Sequence, residues 1–272
     1  MVAFGRRVEL TVIDRVGVGR RFTGNRVDFT VTRDRGSKPN RAEVKVYGLS
    51  PASRQLIKSE GAGVALLAGY PDDAGQIFQG DITSAFVEIE PPEVMTTIAA
   101  GDGQSQLLQR VSLSLVPGTS AEQAFQQIAA QMGVTVASRS RAVFPGVGPF
   151  YAFGSAESAL DELVGRFGGA WSIQDGELVI SEPTLADHRD AILISPETGL
   201  VGSPSVMTKK DGDVDMKGVK WKGLLNHRIL PGSRCELDSR ELYGFYVAHK
   251  VIHRGDTGFD NKFHTEVEAR EL

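Results

Sequence analysis

Apolar side chains recur at every second position through much of the first hundred residues. In "RRVELTVID", Val8, Leu10 and Val12 alternate with Glu9, Thr11 and Ile13. In "RVDFTVTRD", Val27, Phe29 and Val31 take one side and Asp28, Thr30 and Thr32 the other. A period of two is the signature of half-buried strands and excludes an amphipathic helix over the same residues. "RAEVKVYGL", "VALLAGY", "GQIFQGDITSAFVEIE" and "EVMTTIAAGDG" extend the strand series. One helix interrupts it. Ser50 is placed as an N-cap, Pro51 suits the first helical position and Gly61 a stop. "RGSKPN", residues 35–40, reads as an exposed turn or loop. One helix among six or seven strands implies a small barrel or sandwich over residues 1–102.

The pattern changes after Gly103. In "SLVPGTSAEQAFQQIAAQMGV", Ser120 and Gln123 fit a capping box, Phe125, Ile128, Ala129 and Met132 form one apolar helical face, and Gly133 ends it. A second helix follows, with Ala156, Leu160, Leu163, Val164 and Phe167 as its stripe, Ser155 as its cap and Gly168-Gly169 as its end. "AWSI" and "LVI" then form a hairpin about Asp175-Gly176. Residues 103–182 are thus expected to form an α+β unit. Residues 183–272 return to strand and loop. Thr208 to Gly218 reads as an exposed, mobile loop, and a turn near Tyr243-Gly244 joins two further strands.

The two ends are alike. "VALLAGY…GQIFQGDITSAFVE…VMTTIAAGDG" and "RCELDSRELYGFYVAHKVIHRGD…KFHTEVEARE" each contain a strand, a turn, a long bent strand, a variable loop and a closing strand. One fold used twice is the expectation. The fold class is therefore α+β, mainly β, with two barrel-like domains (1–102 and 183–272) flanking a small α+β middle domain (103–182).

Candidate chemistry is sparse. Three of the five histidines lie in "VAHKVIHRGDTGFDNKFHTEVEA". His249 and His253 are four apart, but Lys250 stands where a zincin needs glutamate, and the segment reads as strand. His264 on the next strand could face them. No metal, cofactor-binding or catalytic residue is assigned, and satisfied or solvated sheet histidines are expected. Cys235 is the only cysteine, so an intramolecular disulfide and thiolate zinc clusters are excluded. It reads as a small, half-buried residue. "GSAES" lacks the second glycine of a nucleophile elbow. The acidic groups Asp72-Asp73, Asp187/Asp190 and Asp211/Asp213/Asp215 lack the spacing of a calcium loop and read as solvated. "RDRGSKPNR" is a local basic cluster without interleaved aromatics. The net charge of -4, from 30 basic and 34 acidic residues, shows no net basic excess to favour nucleic-acid binding. No segment approaches bilayer-spanning length, so folding in a reducing cytoplasm without membrane insertion is expected.

Taken in order, "NRAEVKVYGLSPASRQLI", "IFQGDI", "PGTSAEQAFQQIAAQMGV", "GSAESALDELVGRFGGAWSIQDGELVI", "ETGLVGSP" and "GLLNHRILPGSRCELDS…GFYVAHKVIHRGDTG" resemble the baseplate (tail) hub proteins of bacteriophages, the family that includes the hubs of contractile-tailed phages. The resemblance spans nearly the whole chain. It implies a homotrimer whose six barrel-like units mimic a sixfold tail tube. The implied partners are tail tube or tube-initiator proteins, the trimeric spike and a tape measure protein. It implies location in the virion tail baseplate after assembly in the host cytoplasm. The family has no catalytic motif or cofactor to carry over. Two alternatives stand beside it: a tail-tip cell-wall hydrolase using acids such as Asp81, Asp102 or Glu162, and a β-rich hub of a related injection or secretion machine.

Overall fold

The computed structural model describes residues 5–137, 146–182, 186, 190–211, 214–258, 260 and 262–272. The N-terminal part contains β1 (Arg7–Ile13), β2 (Gly19–Phe22), β3 (Val27–Asp34), β4 (Arg41–Tyr47), α1 (Pro51–Ile57), β5 (Gly63–Tyr70), β6 (Asp73–Glu90) and β7 (Glu93–Gly101). The middle part contains α2 (Gln104–Leu107), β8 (Arg110–Leu115), α3 (Ala121–Met132), β9 (Thr135–Val136), β10 (Phe150–Ser155), α4 (Ala156–Gly165), β11 (Ala170–Gln174) and β12 (Glu177–Ser181). The C-terminal part contains β13 (Ile192–Ile194), β14 (Leu200–Asp211), β15 (Val214–Leu224), β16 (Arg234–Asp238), β17 (Tyr243–Asp256) and β18 (Phe263–Glu271).

Alternation decides which faces are buried. Val8, Leu10 and Val12 of β1 and Val27, Phe29 and Val31 of β3 join a first apolar cluster with Leu66, Phe78 and Ile98. A second cluster packs Phe125 and Ile128 of α3 and Leu160 and Leu163 of α4 against Trp171, Ile173, Leu178 and Ile180. A third gathers Trp221, Cys235, Leu237, Val251 and Val267. The chain is mainly β, with α+β character in its middle.

Helix α3 begins and ends where its side chains dictate. The Gln123 N–H donates to Ser120 Oγ at 3.2 Å, and the Ser120 N–H donates to Gln123 Oε1 at 3.3 Å. Gly133 closes the helix with φ of 74°, in the left-handed region. Ser120→Ala should cost about 1 kcal/mol in urea unfolding, because the Gln123 N–H loses its acceptor, Ser120 Oγ. An unchanged midpoint would show that water replaces the cap without loss.

The outer parts do not close into two barrels. Their strands share one sheet, in the order β14-β15-β18-β17-β3-β4-β7-β6-β5-β1-β2, with β16 beside β17 and β13 beside β16. No closed barrel is found among the described residues. The reason lies in β17, which is 14 residues long. Its first residues pair with β16 and its last seven, Lys250–Asp256, pair with β3 of the other end. A strand that reaches across in this way joins two sheets.

The two ends nevertheless repeat one strand order. β3-β4-β7-β6-β5-β1 and β14-β15-β18-β17-β16-β13 correspond one to one in chain order. Both long strands carry a register shift at the matching place, between Ile82 and Ser84 in β6 and between Ala248 and Lys250 in β17. Beside each shift the same backbone bond forms, Ile82 N–H to Ala62 O and Ala248 N–H to Ser233 O, both at 2.9 Å. The repeat has three departures, the first being that β2, beside β1, has no counterpart beside β13. β1 runs antiparallel to β5 whereas β13 runs parallel to β16, and α1 occupies the place of the loop before β16.

Several local expectations are corrected. Thr208 to Gly218 is no loop but the end of the β14–β15 hairpin, with Thr208 opposite Lys217 and Asp211 opposite Val214. Residues 212 and 213 lie outside the described residues. Backbone pairing needs no apolar side chain, so polarity misleads there. Tyr243-Gly244 already lies in β17, opposite Asp238 and Leu237, and the turn falls at 239–242. Helix α4 ends at Gly165, ahead of Gly168-Gly169, because Phe167 and Gly168 turn back onto Val164 and Gly165 through i→i−3 bonds. Gly61 lies beyond the end of α1 at Ile57.

Candidate assembly site

The Asp175-Gly176 turn is a latch whose partners Arg33, Asn40 and Asp102 are buried. Both residues have positive φ, 57° and 80°, as a tight hairpin turn of this kind requires. The turn carries the β11–β12 hairpin of the middle part into the junction with the N-terminal part. There Arg33, 1% exposed, fills the same inward phase as Val27, Phe29 and Val31. Its guanidinium donates to Asp175 Oδ2 at 2.7 Å, to Gln174 Oε1 at 3.0 and 3.3 Å, and to the Ile77 carbonyl at 3.1 Å. Asp102 accepts from the Asp175 N–H at 2.6 Å and the Gly176 N–H at 3.1 Å. Asn40 donates to the Ile173 carbonyl at 2.9 Å and Gln174 Oε1 at 3.0 Å. Gln174 in turn donates to the Asp34 carbonyl at 2.8 Å. Burial raises the Asp102 carboxyl above its ordinary range, and the two backbone donors and Arg33 oppose that shift.

Sequence reasoning missed this cluster. An arginine continuing the inward phase of an apolar strand was the available signal. "RDRGSKPNR" is correspondingly less of a surface patch than its composition implies, since Arg33, Arg35 and Asn40 are all buried.

Further contacts hold the two ends of the chain together. Seven residue pairs join β3 to β17, from Lys250 opposite Asp34 to Asp256 opposite Asp28. Arg26 pairs with the buried carboxylate of Asp256 at 2.9 Å. Arg228 reaches Asp73 at 2.7 Å.

The two longest open strand edges among the described residues lie in β14 and β6, besides the short outer edges of β2 and β13. β14 pairs with β15 on one side and with nothing on the other. β6 is covered by β5 only as far as Asp81, so Ser84–Glu90 has β7 on one side alone. Both edges expose large apolar side chains: Val206 is 65% exposed, Phe86 48% and Ile89 65%.

The sequence candidates for chemistry are dispersed. His253 is fully buried, with Nδ1 3.0 Å from Thr265 Oγ1. His264 Nε2 lies 3.1 Å from Glu266 Oε1, and His249 Nε2 lies 3.8 Å from Asp34 Oδ1 at the strand irregularity. The three rings have separate partners, and no group of three His, Cys, Asp or Glu able to hold a metal occurs among the described residues. Cys235 is fully buried rather than half-buried, and burial pushes its thiol up to about 12. Ser155 caps α4 by accepting from the Ser158 N–H. Asp81 accepts from Ser105 Oγ at 2.7 Å, and Glu162 pairs with Arg166 on an exposed helical turn. Asp81 and Asp102 line one shallow cavity beside the latch, but both Asp102 oxygens are engaged by the hairpin backbone. Asp73 pairs with Arg228, while Asp187 and Asp213 lie outside the described residues. No helix among the described residues is long and apolar enough to cross a membrane.

This overall fold is shared with solved phage tail proteins. The chain is similar to the tail protein from Neisseria meningitidis MC58, at 12% identity and a TM-score of 0.70, over 98% of this chain and 97% of that one. It is similar to the 43 kDa tail protein of prophage MuSo2 from Shewanella oneidensis, at 8% identity and a TM-score of 0.68, over 98% of each chain. It also resembles the E. coli c3393 protein, a component of the type VI secretion system, at 10% identity and a TM-score of 0.61, over 91% and 74%. At these identities the likeness is one of fold. No curated protein matches the sequence. Residues 23–241 match the model of the family Baseplate hub gp41, and the chain belongs to that family of bacteriophage baseplate proteins.

Proposed function

We propose that the chain is a structural hub subunit, three copies of which close a ring that joins the tail tube to a trimeric spike, without catalysis. The observation that carries this reading is the repeated strand order at the two ends, β3-β4-β7-β6-β5-β1 and β14-β15-β18-β17-β16-β13. Three chains with two like units each present six similar surfaces, which suits a threefold part that must meet a sixfold tube. In this reading residues 1–102 and 183–272 supply the tube-like units and 103–182 the middle domain. The three apolar clusters support that division, although Leu225 and Phe263 belong to the first. Family membership supports a place in the tail baseplate, with assembly in the host cytoplasm. The partners are tail tube or tube-initiator proteins, the spike and the tape measure protein.

Electron microscopy of the native particle tests this, and three copies at the junction of tube and spike are expected. Six equivalent copies within the tube, or copies at the head, would overturn the reading. The likeness to the type VI secretion component favours one second reading, a hub of a related injection machine. Co-purifying proteins separate the two, since tail tube and spike subunits are expected only for the first.

A further inference from the structure

The repeat predicts which edges meet between copies. Within one chain, β3 of the first unit lies against Lys250–Asp256 of β17 in the second. The strand irregularities align Thr83 with His249, and hence Ser84–Glu90 with Lys250–Asp256. The neighbouring ladders align β14 with β3. Val31 faces Ala42, which faces Ala100; Val206 faces Val219, which faces Ala269. Ala100 and Ala269 both sit opposite the residue before the irregularity, Ile82 and Ala248. Val206 is therefore the counterpart of Val31. The internal junction uses β3 and β17, and the two longest edges left open are their counterparts, β14 and Ser84–Glu90 of β6.

We propose that β14 of one copy adds antiparallel to Ser84–Glu90 of the next copy, in the register of the internal junction. Since Val31 faces His253, Val206 faces Val87 across the interface, Met207 faces Phe86 and Ser205 faces Glu88. Two of these pairs are apolar on both sides, which is what cross-strand contact rewards. Charge is compatible as well: Glu88 would face Ser205, and Lys220 of β15 lies opposite Ser205 on its other side. The two edges differ, so the contact is head to tail rather than an isologous pair, and it closes into a ring in the trimeric reading above. It also covers two edges that would otherwise invite wrong pairing. The number of copies rests on the trimeric reading above; the pairing itself does not fix it.

The test is a full-length chain carrying Phe86→Cys and Met207→Cys. The internal bond from the Arg35 N–H to the His249 carbonyl, 3.1 Å, sets the ladder phase. By that phase Phe86 and Met207 form a non-hydrogen-bonded pair, with Cα atoms about 4.5 Å apart, within disulfide reach. Cys235 is buried and stays out of the exchange. Mild oxidation should give disulfide-linked trimers on a denaturing, non-reducing gel. Ser84→Cys with Ser205→Cys, which this register holds about 13 Å apart along the strand, should give none. Disulfide-linked rings of another size would uphold the pairing and overturn the trimer. Trimers by mass photometry without the disulfide, equal linkage in the control pair, or no linkage at any concentration would each overturn the pairing. Val87→Pro supplies a second arm. Val87 is the counterpart of His253, so its N–H faces the open edge and proline there removes no bond within the chain. It should keep the circular dichroism of the parent and lose at least tenfold in assembly affinity. Normal assembly would count against the proposal.

Discussion

Arg33→Ala should lower the stability of the chain by about 3 kcal/mol and loosen the middle part from the N-terminal part. The arginine is buried and its fork serves Asp175, Gln174 and the Ile77 carbonyl at once. Alanine leaves Asp175 Oδ2 and the Ile77 carbonyl without that donor and Gln174 Oε1 with Asn40 alone. The figure sits at the low end for a broken buried pair because Asp175 is 26% exposed and gains some water. Arg33→Met keeps the packing and should lose less than alanine, while Arg33→Lys cannot span all three acceptors. Urea unfolding measures the loss. Hydrogen exchange at Asp175 and Gly176 locates it, since their N–H groups are held by Asp102 only while the latch is shut. An alanine variant within 0.5 kcal/mol of the parent, about the size of an ordinary surface change, would mean that the junction is held by apolar contact alone.

A second large effect is expected on acidification. His253 lies at zero exposure, and burial pushes its imidazole down to about 3, with the charges of Arg33 and His227 acting in the same direction and the Ile229 carbonyl opposing. In the unfolded chain the ring titrates near 6.5. The stability linked to this group is thus fully present above pH 6.5. It is lost as pH falls from there toward 3, because only the unfolded chain takes up the proton. The slope is about 1.4 kcal/mol per pH unit, and the whole loss is on the order of 5 kcal/mol. His227 and His264 are also lowered, chiefly by burial, and act in the same window. Asp256, held low by Arg26, acts below it. The comparison must therefore be with His253→Gln, which keeps a polar group beside Thr265 but takes no proton. Urea midpoints between pH 7.5 and 4 should fall more steeply for the parent than for the variant. Parallel curves would sink the assignment of a buried neutral ring.

The elements that local chemistry can specify were legible. The alternation of Val27, Phe29 and Val31 placed β3, the Ser120–Gln123 box placed α3, and the Asp175-Gly176 dipeptide placed its hairpin turn. The likeness of the two ends was legible as well, and it reappears as a repeated strand order. The latch was half legible. Its turn could be read, but its partners Arg33, Asn40 and Asp102 are far away in sequence, and each alone looks like an ordinary loop or strand residue. The β14–β15 hairpin was missed because its end residues are polar and their pairing is carried by backbone groups that every sequence has.

The amino-acid sequence by itself determined which residues face inward, where helices start and stop, and that the chain's ends are built alike. Only the tertiary structure decided that these ends share one sheet instead of closing separately, and that Arg33 meets Asp175. A two-residue period says which side of a strand is buried, but every strand offers the same N–H and C=O groups along both edges. Which neighbour occupies an edge is therefore settled by strand length, bending and the packing of the whole molecule.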